Sequence, residues 1–303
     1  STAYPISSAS AAENGSYAVM TRSAEYRTVI YVYNSNKENI AQIMKDKLAL
    51  GMGFSKDGDC IFVISVYNDD GAISGEISVY NPKSGNELFT ITIDEEIPIY
   101  AAFNEAGDLK VATDKCFCIY SSSGELISTY SYENRTPQTV CIGDNYFAAV
   151  FSSSYISNES DIVVIDDKGK TALTYSTDGA VKKIKISDDR IYFLSSDKII
   201  CINPKNLEVL HFKYDGNPCD INVSGDIIFV SYYSHTLSYY LSEVFDSENS
   251  STANAGNETS EITSAVSVTD AETAGTESES VSGVPETSEV IVSNISSETA
   301  SAE

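Results

Sequence analysis

Phe54-Ser55-Lys56-Asp57-Gly58-Asp59-Cys60-Ile61-Phe62-Val63 decides the fold. It reads as the end of a strand, a tight polar turn and the start of a second strand. Asp57 and Gly58 are residues that accept turn backbone, and the Ile-Phe-Val run that follows suits a pleated surface. A second copy, Phe103-Asn104-Glu105-Ala106-Gly107-Asp108-Leu109-Lys110-Val111-Ala112, follows the same plan. Looser copies begin at Ile142, Ile186 and Val223, so successive turns lie 37 to 49 residues apart. Repetition at that period signals an array of small β units.

A second motif alternates with the first. Its sharpest copy is Val79-Tyr80-Asn81-Pro82-Lys83-Ser84-Gly85-Asn86-Glu87-Leu88, with relatives starting at Val32, Ile119, Val164 and Cys201. Each joins two strands through Asn, Asp, Pro, Ser or Gly. Two hairpins per repeat make four strands, which is one blade of a β-propeller. Strands A to D are expected to run from the inside outward, in units near 48–93, 97–132, 138–176 and 181–214. Residues 219–234 then form a last A–B pair, and residues 28–44 a C–D hairpin preceded by a short strand near Tyr17. Joining these two ends into one blade would remove exposed sheet edges and give five blades. If Leu237 to Val244 supplies a strand of its own, or a blade has been lost at the N-terminus, the number is six or more.

The motif Phe-Ser-x-Asp-Gly followed by Val-Tyr-Asn-x-x-Ser-Gly resembles the repeats of WD40-like and quinoprotein-like bacterial propellers, over residues 28–234. It is also similar to clostridial propellers that carry a membrane anchor. The resemblance implies the fold. It brings no quinone and no catalytic residue, because Trp is absent and Phe89 stands where the ring-docking residue of a quinoprotein blade would be.

Charge narrows the partners. The 303 residues carry a formal net charge of −25. Nucleic acid and anionic membrane surfaces both demand basic residues, so neither is expected as a partner. No Lys or Arg follows Lys213, and twelve acidic residues lie between Asp246 and Glu303. Residues 246–303 are dominated by Ser, Thr, Glu and Ala and are expected to be a disordered acidic tail. Residues 1–15 read as a linker and 16–245 as the propeller. The chain opens on Ser1 and is expected to be clipped from a longer protein. Membrane attachment is then expected only through a segment upstream of Ser1, and the location is expected to be extracellular or at the cell surface.

Little in the sequence points to chemistry. His211 and His235 are the two histidines, and zinc needs three or four converging ligands. Asp57-Gly58-Asp59 and Asn68-Asp69-Asp70-Gly71 lack the ligand spacing of a calcium loop. Neither a metal nor a cofactor is therefore expected. Cys60, Cys116, Cys118, Cys141, Cys201 and Cys219 all fall in strands, where cysteine packs as a small apolar residue. Cys116-x-Cys118 has an apparent counterpart in Ile199-x-Cys201, which argues for packing and against a redox pair. Asp94, Glu95, Glu96 and Glu133 are the carboxylates that a propeller hydrolase could bring to a central funnel.

The expected function is non-catalytic: a binding, sensing or assembly module of an exported or anchored bacterial protein. A propeller hydrolase and an intracellular WD40-like scaffold are the alternatives. The D–A and B–C connections share one end of any such blade, and loops on a rigid scaffold commonly carry recognition. That end should bear Tyr67, Asp69, Asp70, Glu95, Glu133, Arg135, Tyr155, Glu159, Tyr214 and Asp215, with two long B–C loops at 68–75 and 152–160. An acidic face with interleaved Tyr suits a basic protein patch or a carbohydrate.

Overall fold

A computed structural model describes residues 4–152 and 159–249. They belong to one compact unit. The stretch 250–303 of the expected tail lies outside the described residues, as does Tyr155.

Among the described residues six antiparallel sheets follow one another along the chain. The first holds β1 (Ser8–Ala11), β2 (Tyr17–Thr21), β3 (Thr28–Tyr33) and β4 (Asn39–Lys45). The second holds β5 (Leu48–Phe54), β6 (Ile61–Asp69), β7 (Ala72–Tyr80) and β8 (Glu87–Ile93). The third is built of β9 (Pro98–Phe103), β10 (Leu109–Thr113), β11 (Cys116–Tyr120) and β12 (Leu126–Ser131). The fourth has β13 (Thr139–Ile142), β14 (Tyr146–Ser152), β15 (Ser160–Asp166) and β16 (Thr171–Thr177). The fifth has β17 (Lys183–Ser187), β18 (Arg190–Leu194), β19 (Lys198–Asn203) and β20 (Glu208–Lys213). The sixth has three strands, β21 (Asp220–Ser224), β22 (Ile227–Ser231) and β23 (Thr236–Tyr240), followed by helix α1 (Leu241–Asn249). This is an all-β propeller of six blades. Among the described residues no helix is long and apolar enough to cross a membrane.

The first strands of successive sheets, β1, β5, β9, β13, β17 and β21, lie beside one another in chain order. The second strands sit between two neighbouring sheets. They are accordingly apolar on both faces: Ile61 and Val63 pack toward the first sheet, while Phe62 and Ile64 pack toward the third. Phe117 and Phe147 stack at 4.1 Å between the third and fourth sheets. Five apolar cores result, each shared by two consecutive sheets. Helix α1 completes the last of them with Leu241, Val244 and Phe245. Among the described residues no such core joins the sixth sheet to the first.

The repeat is visible in its irregularities. The C–D pairing slips at Val32/Tyr33, Val79/Tyr80, Ile119/Tyr120 and Val164/Ile165, at the same place in four successive sheets. The C–D turns use left-handed backbone, supplied by Gly85, Gly124 and Gly169 in the second to fourth sheets and by Leu207, φ +59°, in the fifth.

Three expectations are corrected. Residues 28–44 do not complete the blade of 219–234; they pair with β2, which pairs with β1. Strand β1, Ser-Ala-Ser-Ala, forms inside the stretch read as linker and has no apolar pattern to announce it. The connection at 68–75 is not a long loop. Strands β6 and β7 run on to Asp69 and Ala72, leaving Asp70 and Gly71 as the turn, both with positive φ. Position 75 in β7 is glycine where a Cβ would run into the Pro98 ring.

Candidate functional site

In each sheet the antiparallel pairing places the B–C and D–A connections at one end, here called the upper end, and the A–B and C–D turns at the other. Tyr67, Asp69 and Asp70 close the β6–β7 hairpin at the upper end. Lys47 Nζ lies 3.9 Å from the centre of the Tyr67 ring, a cation–π contact that fixes both side chains. Glu95, φ +55°, turns the chain from β8 to β9, and its carbonyl accepts a hydrogen bond from Lys115. Glu133 and Asn134, both of positive φ, make the next such turn. Arg135 stacks its guanidinium 4.3 Å from the Phe151 ring. Glu159 leads into β15.

Tyr214 and Asp215 follow β20. The Tyr214 hydroxyl donates to the Ser195 carbonyl, and burial with the nearby Asp197 charge pushes its ionisation up to about 12. Tyr232 donates to the Asp215 carbonyl at 2.8 Å and stacks on His235 at 4.7 Å. Beside them Tyr233 is 92% exposed. Several of the residues read from the sequence are thus held by local contacts.

Sequence reading missed the apolar part of this region. Leu48 and Leu50 on β5 and Ile99 and Tyr100 on β9 are all exposed, although they sit on adjacent inner strands. A cleft of about 360 Å³ opens among Ala11, Leu50, Met52, Phe54, Ile99 and Phe103. Gly51 and Gly53 lower its floor: a Cβ at Gly53 would meet the Phe62 ring at 2.6 Å. The alternation Leu-Ala-Leu-Gly-Met-Gly-Phe carried the signal, but an inner strand is normally read as core.

Beneath the upper rim lies a charged network. Lys45, only 8% exposed, donates to Glu76 at 2.8 Å, Ser78 at 2.7 Å and Tyr80 at 3.2 Å. Lys47 pairs with the other oxygen of Glu76. Burial opposes the Glu76 charge, but the hydrogen bonds from Lys45 and Lys47 outweigh it and hold the carboxyl below its ordinary range. Of the four carboxylates weighed for a hydrolase, Glu96 is committed elsewhere, to Thr113 at 2.6 Å and Cys116 at 3.3 Å. Among the described residues no three His, Cys, Asp or Glu side chains are placed to hold a metal ion.

No curated protein matches the chain in sequence. Among solved structures, the crystal structure of BamB from Moraxella catarrhalis superposes with a TM-score of 0.53, covering 78% of this chain and 76% of that one at 10% identity. A likeness at that identity carries the fold alone. The model of a family of unknown function, DUF5711, matches residues 1–235, from the first residue through β22, and the chain belongs to that family.

Proposed function

We propose that the propeller is a non-catalytic module that binds a protein segment at its upper end and inner wall. The observation that carries this reading is the exposed trio Leu50, Ile99 and Tyr100 lining the 360 Å³ cleft. Exposed apolar surface of this kind on a rigid scaffold marks an interaction site. The acidic rim residues Asp70, Glu95, Glu133 and Asp215 would steer a segment that carries Lys or Arg beside its apolar anchor. The same binding role fits an exported or anchored bacterial protein. The support for that setting is the Ser/Thr-rich acidic composition of residues 246–303.

A displayed library of random peptides tests the reading. Selection on the native propeller should enrich peptides that combine apolar anchors with basic residues. Those peptides should lose at least about ten-fold in affinity on Leu50→Asp or Ile99→Asp, the scale of one buried apolar anchor. Peptides that bind both variants unchanged would overturn the assignment.

A further inference from the structure

Cys116 and Cys118 stand out from the other thiols. Their sulfurs are 3.4 Å apart, and the Cys116 thiol also donates to the Glu96 carboxylate at 3.3 Å. Thr113 donates to the same Glu96 oxygen at 2.6 Å and accepts from the Cys116 backbone at 2.9 Å, so carboxylate and thiol are fixed together. Cys118 is 6% exposed, whereas Cys116 is half-buried at the start of β11, one two-residue turn from solvent.

In sequence, Ile199-x-Cys201 looks like the counterpart of this pair and points to packing. The sheets show that comparison to be out of register by one residue, which reverses the face of a strand. Cys118 pairs with Val111, and both look toward the second sheet. Ile199 and Cys201 look toward the sixth sheet, away from the fourth. Counted from the first B–C pair, Ile61↔Tyr80 and Leu109↔Tyr120, the counterparts of Cys116, Cys118 and Tyr120 are Glu76, Ser78 and Tyr80. In the second sheet these three hold Lys45. At the interface with the third sheet, Ile93 of the second sheet takes the place of Lys45, as their ladder partners Gly75 and Thr28 show. The third sheet thus carries two thiols and a carboxylate where its neighbour carries a satisfied ion pair.

We propose that Cys116 and Cys118 are a dithiol that a hydroperoxide oxidises to an intramolecular disulfide, with Glu96 as the proton acceptor. The Cys118 thiolate attacks the peroxide oxygen, forming an S–O bond and releasing hydroxide, which becomes water on protonation. The Cys116 sulfur then attacks the Cys118 sulfur. Glu96 takes the Cys116 proton and passes it to the departing hydroxide. Two thiols and one H₂O₂ become one disulfide and two waters. The acidity of the pair agrees with this order: the hydrogen bond shared by the two sulfurs lowers Cys118 to about 7 and raises Cys116. Same-face neighbours on a strand are about 6.6 Å apart at Cα, near the upper limit for a disulfide.

The test uses the full chain. It is treated with stoichiometric H₂O₂, alkylated with iodoacetamide and mapped by mass spectrometry. The expected product has two blocked thiols of six, both in the 116–118 peptide, which has lost two hydrogens and regains alkylation after dithiothreitol. Cys201, facing the other way and pushed up to about 11 by burial, should stay reduced. Cys116→Ser should stop at a Cys118 sulfenic acid that dimedone traps. Glu96→Gln should slow disulfide closure roughly ten-fold or more without changing the product. The proposal fails if oxidation spreads over all six thiols, or if both cysteines remain alkylatable while others react. The wild-type map alone distinguishes these results should a variant fold poorly.

Discussion

Lys45 and Glu76, 31 residues apart in sequence, form an ion pair of 2.8 Å across the interface between the first and second sheets. All three Lys45 protons have acceptors. Replacing the lysine leaves a buried carboxylate with Lys47 as its one cationic partner among the described residues and Ser78 as a hydroxyl donor. Lys45→Met should therefore cost about 3 kcal/mol in urea unfolding, with Glu76→Gln costing less because Lys45 keeps two hydroxyl acceptors. Equal stability of Lys45→Met and wild type would show that the pair contributes nothing.

The same pair sets an acid sensitivity. The folded Glu76 pKa lies below the ordinary value of 4.5. Its stabilisation is complete above 4.5 and is lost as pH falls through the lower folded value. A melting-temperature series across that range should slope more steeply in wild type than in Glu76→Gln. Parallel slopes would contradict the assignment.

Leu207 occupies a left-handed position, φ +59°, and is 61% exposed. The matching turns of the second, third and fourth sheets use Gly85, Gly124 and Gly169. Leu207→Gly relieves a Cβ clash and gives up little burial, so it should stabilise the fold by up to about 1 kcal/mol. A loss of stability would mean that the Leu207 side chain packs better than its exposure indicates.

Unequal flanking predicts unequal opening. The fourth sheet has an apolar core on both faces, and the sixth has one on a single face. Native-state hydrogen exchange in sub-denaturing urea should release the amides of β21 and β22 well before those of β14 and β15. Uniform exchange across the two sheets would indicate a seam as strong as the other interfaces.

Where the sequence was legible, two things coincided: a turn that needs Gly or Asp and a strand apolar on both faces. That combination located β5–β6 and β9–β10 to within a few residues. It failed for Ser8–Ala11, whose small residues lie on an inner edge and bury little. It also failed at Asn68-Asp69-Asp70-Gly71, where turn residues extended the apparent loop into a strand. The candidate site was legible only as a set of connections sharing one end. The cleft behind Leu50 depends on which inner strands adjoin. The Glu96–Cys116 contact depends on a turn folding back 20 residues. The Cys201 comparison misled because a shared Asp-Lys was aligned across turns of different length.

The central claim is that the upper end and inner wall are the binding surface. Site-specific photo-cross-linking in the cells that make the protein tests it most directly. A benzophenone side chain is placed at Leu50 or Ile99 and, for comparison, at Leu126, which is exposed at the lower end of the third sheet. The account predicts one discrete protein adduct from positions 50 and 99 that is absent from position 126. Adducts formed only at 126, or none at 50 and 99 in folded protein, would contradict it.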